Sequence, residues 1–160
     1  MENHFVDLNR RRALASYNAI NDLIEHIEES KDLGDPKVQE SIKSKKEQLR
    51  TICRKLPVLM RDNGFITTFA FLKGKGTSSI EQKIFEQSMK WISFVFSIPK
   101  EADNAFTYII DEVSQKEYMM ISREIIKYFV WLKRHAEMEV KRDICLLYTS
   151  DAADELDGVD

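Results

Sequence analysis

The sequence predicts an all-helical fold, a single-domain bundle of about six to seven helices. Three observations predict it. Pro and Gly are scarce, three and five in 160 residues, while good helix formers abound, so few points break a helix. Apolar residues recur at three- and four-residue steps along most of the chain. The one segment rich in aromatic and β-branched residues, 65–73, finds no second segment to pair with as a strand. The length is that of one domain and suffices for a real core.

The elements follow in order. A first helix is expected over about 5–29, with Leu8, Leu14, Tyr17, Ile20, Ile24 and Ile27 on one face and Arg10-Arg11-Arg12 interrupting as a basic turn. Leu33-Gly34-Asp35-Pro36 ends it and starts the next, Asp35 as cap and Pro36 in the first turn. The second helix, 36–56, carries the stripe Val38, Ile42, Leu49, Ile52, Cys53 and Leu56. Pro57 predicts a kink or break, with a short helix over 58–62 beyond it. Asn63-Gly64 reads as a stop, and 65–73 as a buried helix. After a loop at 74–79 come a helix over 79–98 and a short one over 102–111. Ser114-x-x-Glu117 is a capping box for the last helix, expected to run to about 142. Tyr118, Ile121, Ile125, Tyr128, Phe129, Leu132 and Ala136 form its main stripe, and a second apolar side makes it central.

Residues 145–160 break this register. Cys145-Leu146-Leu147-Tyr148-Thr149-Ser150-Asp151-Ala152-Ala153-Asp154-Glu155 resembles a translated sequencing-adaptor end. The domain is therefore placed at 1–144, and 145–160 is read as a non-native, disordered tail. The whole chain is formally −3. Without that tail, which holds five acids and no base, the net charge is +2. Between Lys37 and Lys75 ten bases face only three acids, Glu40, Glu47 and Asp62. Such a block attracts an anionic partner.

The apolar run Trp91-Ile92-Ser93-Phe94-Val95-Phe96 is too short to span a membrane, and the N-terminus lacks a signal-peptide layout. Cys53 and Cys145, the only cysteines, form no CxxC, which suits a reduced cytoplasmic setting. Enzyme chemistry is not expected. His4, His26 and His135 lie on separate segments, and His135 with Glu139 is a lone pair where a structural zinc needs about four ligands. Cys53 reads as a small core residue. Lys73-Gly74-Lys75-Gly76-Thr77 lacks the order of a phosphate loop and no strand precedes it. Neither cofactor nor metal is expected.

The chemistry that does stand out is cationic. Lys43, Lys46, Arg50 and Arg54 fall within roughly 80° of helical arc, away from the apolar stripe. A basic ridge of this kind suits a phosphate backbone, and a merely solvated face would carry the same residues. Arg10-Arg11-Arg12, Lys73 and Lys75 could extend it. A helical adaptor for an acidic protein partner, or a DNA-binding helical protein, fits the same charge. The DNA reading calls for a helix-turn-helix with base-reading side chains, and none stands out.

Two blocks carry a resemblance. One is Leu56-Pro57-Val58-Leu59-Met60-Arg61-Asp62-Asn63-Gly64-Phe65, continuing to Thr68-Phe69-Ala70-Phe71-Leu72 and Lys75. The other is Glu117-Tyr118 followed by Trp131-Leu132-Lys133-Arg134-His135-Ala136-Glu137. Together they resemble the small, fifth subunit of the Cmr effector complex of type III-B CRISPR systems, and the similarity spans nearly all of 5–142. The resemblance implies a non-catalytic helical bundle that stacks in several copies beside the backbone and large subunits. It implies partners in the CRISPR RNA and target RNA, and no membrane. Arg61 and Lys75 flank the Asn63-Gly64 turn and are candidates to meet phosphate. Lys133 and Arg134 are weaker candidates. The stretch after Ile144 fits no family pattern.

Overall fold

The computed structural model describes the backbone of residues 4–29, 32 and 34–156, and the side chains of 7–29, 32 and 34–140. Five helices follow one another: α1 (His4–Glu28), α2 (Pro36–Lys73), α3 (Ile80–Phe96), α4 (Ala102–Asp111) and α5 (Gln115–Leu156). No helix among the described residues is long and apolar enough to cross a membrane. α2 and α5 share the most extensive packing, and α1 and α3 close over them.

The helix count is smaller than the six to seven that the sequence predicts. The segments expected at 36–56, 58–62 and 65–73 are one element, α2. Pro57 does not break it. An interior proline costs about 3 kcal/mol in a helix, but Ile52, Cys53, Leu56 and Met60 are all buried on its two sides. Burial on both sides holds the helix through the proline. The interruption falls instead at Gly64, at φ 80° and ψ 178°, inside α2. Those angles lie outside what a side-chain-bearing residue adopts readily. The bend there turns the aromatic segment Phe65, Phe69 and Leu72 into the core.

The caps sit where their chemistry predicts. Asp35 accepts a hydrogen bond from the Lys37 amide at 3.0 Å, with Pro36 in the first turn. Ser79 accepts from the Gln82 amide at 3.1 Å, and Ser114 from the Glu117 amide at 3.2 Å. Each satisfies a donor that the first turn leaves open.

α1 corrects its predicted stripe. Ile20 and Ile27 are buried, as expected, but Leu14 is 59% exposed and Tyr17 is exposed as well. The buried face runs instead through Arg12, Ser16, Ala19, Ile20, Leu23 and Ile27. The Arg10-Arg11-Arg12 run interrupts nothing, since α1 is continuous across it. α5 continues to Leu156, beyond the end expected near 142. Leu146, Leu147, Ala152 and Ala153 favour helix, and no Gly or Pro intervenes before Gly158. The stretch read as a tail thus has a helical backbone as far as Leu156, and 157–160 lie outside the described residues.

Aromatic rings form the centre of the core. Phe69 stacks on Phe65 at 4.4 Å and on Phe129 at 5.8 Å between centroids. Phe106 of α4 meets Phe85 of α3 edge-on at 5.6 Å. Such pairs add about 0.5–1.5 kcal/mol each beyond the area they bury.

Candidate nucleic-acid interface

The predicted basic residues of α2 divide into two groups. Lys43, Arg54 and Arg61 are exposed and lie within roughly 20° of arc, at steps of eleven and seven residues, along about 27 Å of helix. Their apolar neighbours Ile42, Leu49, Cys53, Leu56 and Met60 occupy the buried side. Arg61 points furthest into solvent and touches only Asp62, at 3.3 Å. Arg54 reaches Glu137 of α5 at 3.4 Å while half exposed. Neither pair is strong, because exposed ion pairs contribute about 0–1 kcal/mol and are screened by salt. Both guanidinium groups are therefore available to a competing phosphate.

Lys46 and Arg50 are placed differently. The Lys46 side chain is mostly buried, and its Nζ lies 2.6 Å from Glu28 Oε1 at the end of α1. The lysine ties α1 to α2. Arg50 is about a quarter exposed, lies 3.8 Å from Glu47, and has a buried Nε without a hydrogen-bond partner among the described residues. The ridge expected from Lys43, Lys46, Arg50 and Arg54 is therefore not uniformly solvent-facing. Two of its members lean toward the groove beside α1, roughly 20–60° of arc nearer the apolar stripe.

Lys73 and Lys75 lie beyond the Gly64 bend. Lys73 Nζ sits 2.9 Å from Asp103 of α4 and over the rings of Phe85 and Phe106, at 5.8 and 5.9 Å. At the C-terminus of α2 its charge also complements the helix dipole. Lys75 lies over the exposed Phe71 ring at 5.1 Å. Arg134 stacks over Trp131 at 5.5 Å and is exposed.

Arg12 does not extend the basic surface. It is buried and forms a two-pronged pair with Glu124 of α5, through Nε to Oε1 and Nη2 to Oε2, the latter at 2.8 Å. Trp91 Nε1 of α3 donates to the same carboxylate at 3.2 Å, and Asn9 accepts from Arg12 Nη1 at 3.0 Å. The sequence reading missed this network. Its signal was available: Arg12 lies one turn before Ser16 on the buried face of α1, and Glu124 sits between Ile121 and Ile125 in the stripe of α5. Opposite charges in two apolar stripes call for each other.

The remaining titratable groups belong to packing. Burial pushes the Cys53 thiol well above its usual range, which opposes thiolate formation. His135 is held below its ordinary value, mainly by desolvation and against the opposing pull of the Ala13 backbone and Glu139. Its ring packs against Trp131 at 5.6 Å and Tyr17 at 5.5 Å. Among the described residues no group of three or more His, Cys, Asp and Glu side chains is placed to hold a metal ion.

Comparison with known proteins agrees with this architecture. A crystal structure of a CRISPR-associated Cmr5 family protein from Thermus thermophilus superposes with a TM-score of 0.57. It shares 17% identity, over 81% of this chain and 97% of that one, and at that identity it shows the fold alone. No curated protein matches the chain. A family profile described as CRISPR-associated protein (Cas_Cmr5) matches residues 8–139. That match spans α1 to α4 and most of α5, and by it the chain belongs to the Cmr5 family, the small subunit of type III-B CRISPR systems.

Proposed function

We propose that this chain is a non-catalytic subunit of the type III-B effector in the cytoplasm, stacking along the complex and gripping the backbone of guide and target RNA. Family membership supplies the association with other Cmr subunits. The observation that carries the RNA reading is the solvent-facing line of Lys43, Arg54 and Arg61 along α2. Its charge repeats at intervals a phosphate chain can meet, and no base-reading geometry is needed. Lys75 is a further contact beyond the bend. Lys46, Arg50 and Lys73 serve first as clasps between helices and only second as RNA contacts.

The division gives the test. Reversing Lys43, Arg54 and Arg61 together to Glu weakens RNA association of the assembled complex and makes its salt dependence shallower by roughly one unit of log–log slope per lost contact. Lys46→Ala lowers the stability of the subunit instead and leaves the slope in place. An unchanged affinity and slope in the triple variant would remove the α2 line from the RNA surface. We also propose that 145–160 are non-native, which sequencing the locus across the Cys145 codon decides.

A further inference from the structure

Leu14 and Phe94, the two most exposed large apolar side chains of the described residues, stand 59% and 57% exposed on opposite walls of one groove. The groove runs between α1 and α3 and holds about 300 Å³. Its floor is Trp91, flanked by Tyr128. The floor is rigid: Trp91 Nε1 is fixed by Glu124, itself gripped by Arg12, and the indole stacks on Tyr128 at 6.0 Å and Phe94 at 5.7 Å. A preorganised aromatic floor lowers the ordering cost of binding. From Arg11 to Asp22 the groove extends about three helical turns, roughly 16 Å.

The two ends of the groove differ in charge. At one end Arg11 lies 5.8 Å from the Phe94 ring, beside Lys90. Arg11 shares its charge with Asp7 at 2.7 Å, whereas Lys90 has no ion-pair partner among the described residues. At the other end Asp22 accepts from Gln87 at 3.5 Å and adjoins a second hollow lined by Glu25, His26 and Glu29. A nucleic-acid strand would meet repulsion at this acidic end. An apolar seam of this length, basic at one end and acidic at the other, fits a helix whose flanking charges run the opposite way.

We infer that the α1/α3 groove docks an amphipathic helix of a partner protein, with apolar residues at i, i+3 or i+4 and i+7, acids flanking one half and bases the other. The acids of that helix face Arg11 and Lys90, and its bases face Asp22 and Glu25. The inference concerns a protein contact and stands independently of the RNA assignment on α2.

The test uses the full chain carrying Trp131→Phe, which leaves Trp91 as its single tryptophan reporter. The probe is a synthetic amphipathic peptide of about 18 residues, long enough to hold a helix. One version is bipolar in charge; two others keep the apolar seam but carry acids only or bases only. The expected result is a saturable change in Trp91 emission with the bipolar peptide, and binding about tenfold weaker or worse with either single-sign peptide. Leu14→Asp, at an exposed position, abolishes the change without altering the thermal melt. Charge reversal of Lys43, Arg54 and Arg61 leaves peptide binding intact. Equal binding of all three peptides, binding of none, or indifference to Leu14→Asp overturns the inference. So does displacement of the peptide by a single-stranded RNA oligonucleotide. A self-association that Leu14→Asp dissolves also overturns it, because the occupant is then a second copy.

Discussion

Gly64 holds a backbone conformation at φ 80° and ψ 178° that no other residue adopts without strain. A Cβ built there meets nothing within 4 Å, so sterics with neighbours play no part. Gly64→Ala is therefore expected to destabilise the protein by about 1–3 kcal/mol through the backbone alone. Because ψ lies far from the left-handed helical value, Gly64→Asn gains no relief, and urea unfolding should show a similar loss for both. Arg12 and Glu124 make a second case. Removing one partner leaves a buried charge, and Arg12→Met is expected to cost about 3–5 kcal/mol, while Arg12→Met with Glu124→Leu recovers most of it. A double-mutant cycle by chemical denaturation measures the coupling. His135 is the third. Its folded-state value lies below its ordinary one, so below the unfolded value the unfolded chain binds more protons. Its share of stability is present above about pH 6.5 and is lost as pH falls from there through the depressed folded value. His135→Gln should flatten the pH dependence of the melting temperature in that window.

At the scale of elements, helix starts are written more plainly than helix continuations. Asp35, Ser79 and Ser114 each accept a hydrogen bond from an amide two or three residues on. Asp35→Ala should therefore cost about 1 kcal/mol and be visible in thermal unfolding. These starts are legible because a cap is a local match between one side chain and the next turn. The passage through Pro57 is not legible, because what overrides the proline is packing on α5, an element that begins much later in the chain. The same holds for α1. Leu14 and Tyr17 look like members of its stripe by type, but the face that meets α5 is chosen by Arg12 finding Glu124. The basic residues of α2 were legible as a group, since charge density needs no fold. Their division into exposed Lys43, Arg54 and Arg61 and clasping Lys46 depends on Glu28 of a neighbouring helix, which only the fold supplies.

For the whole molecule, the arrangement separates duties by face. The aromatic centre built from Phe65, Phe69, Phe85 and Phe129 gives rigidity. The solvent side of α2 presents cations, and the groove between α1 and α3 presents an apolar seam with opposite charges at its ends. A subunit of a larger assembly profits from such separation, because each neighbour meets a surface of its own chemistry. The pair of Arg12 and Glu124 also carries a consequence for how the protein is made. The two residues are 112 positions apart. At a synthesis rate of about 5–20 residues per second, Arg12 emerges some 6–20 seconds before its counter-charge exists. Over that interval the nascent chain holds a guanidinium it can neither bury nor pair, and α1 has no fixed seat. Completion of the core is therefore deferred until α5 leaves the ribosome, which leaves the earlier helices to the care of whatever shields exposed apolar surface in the cell.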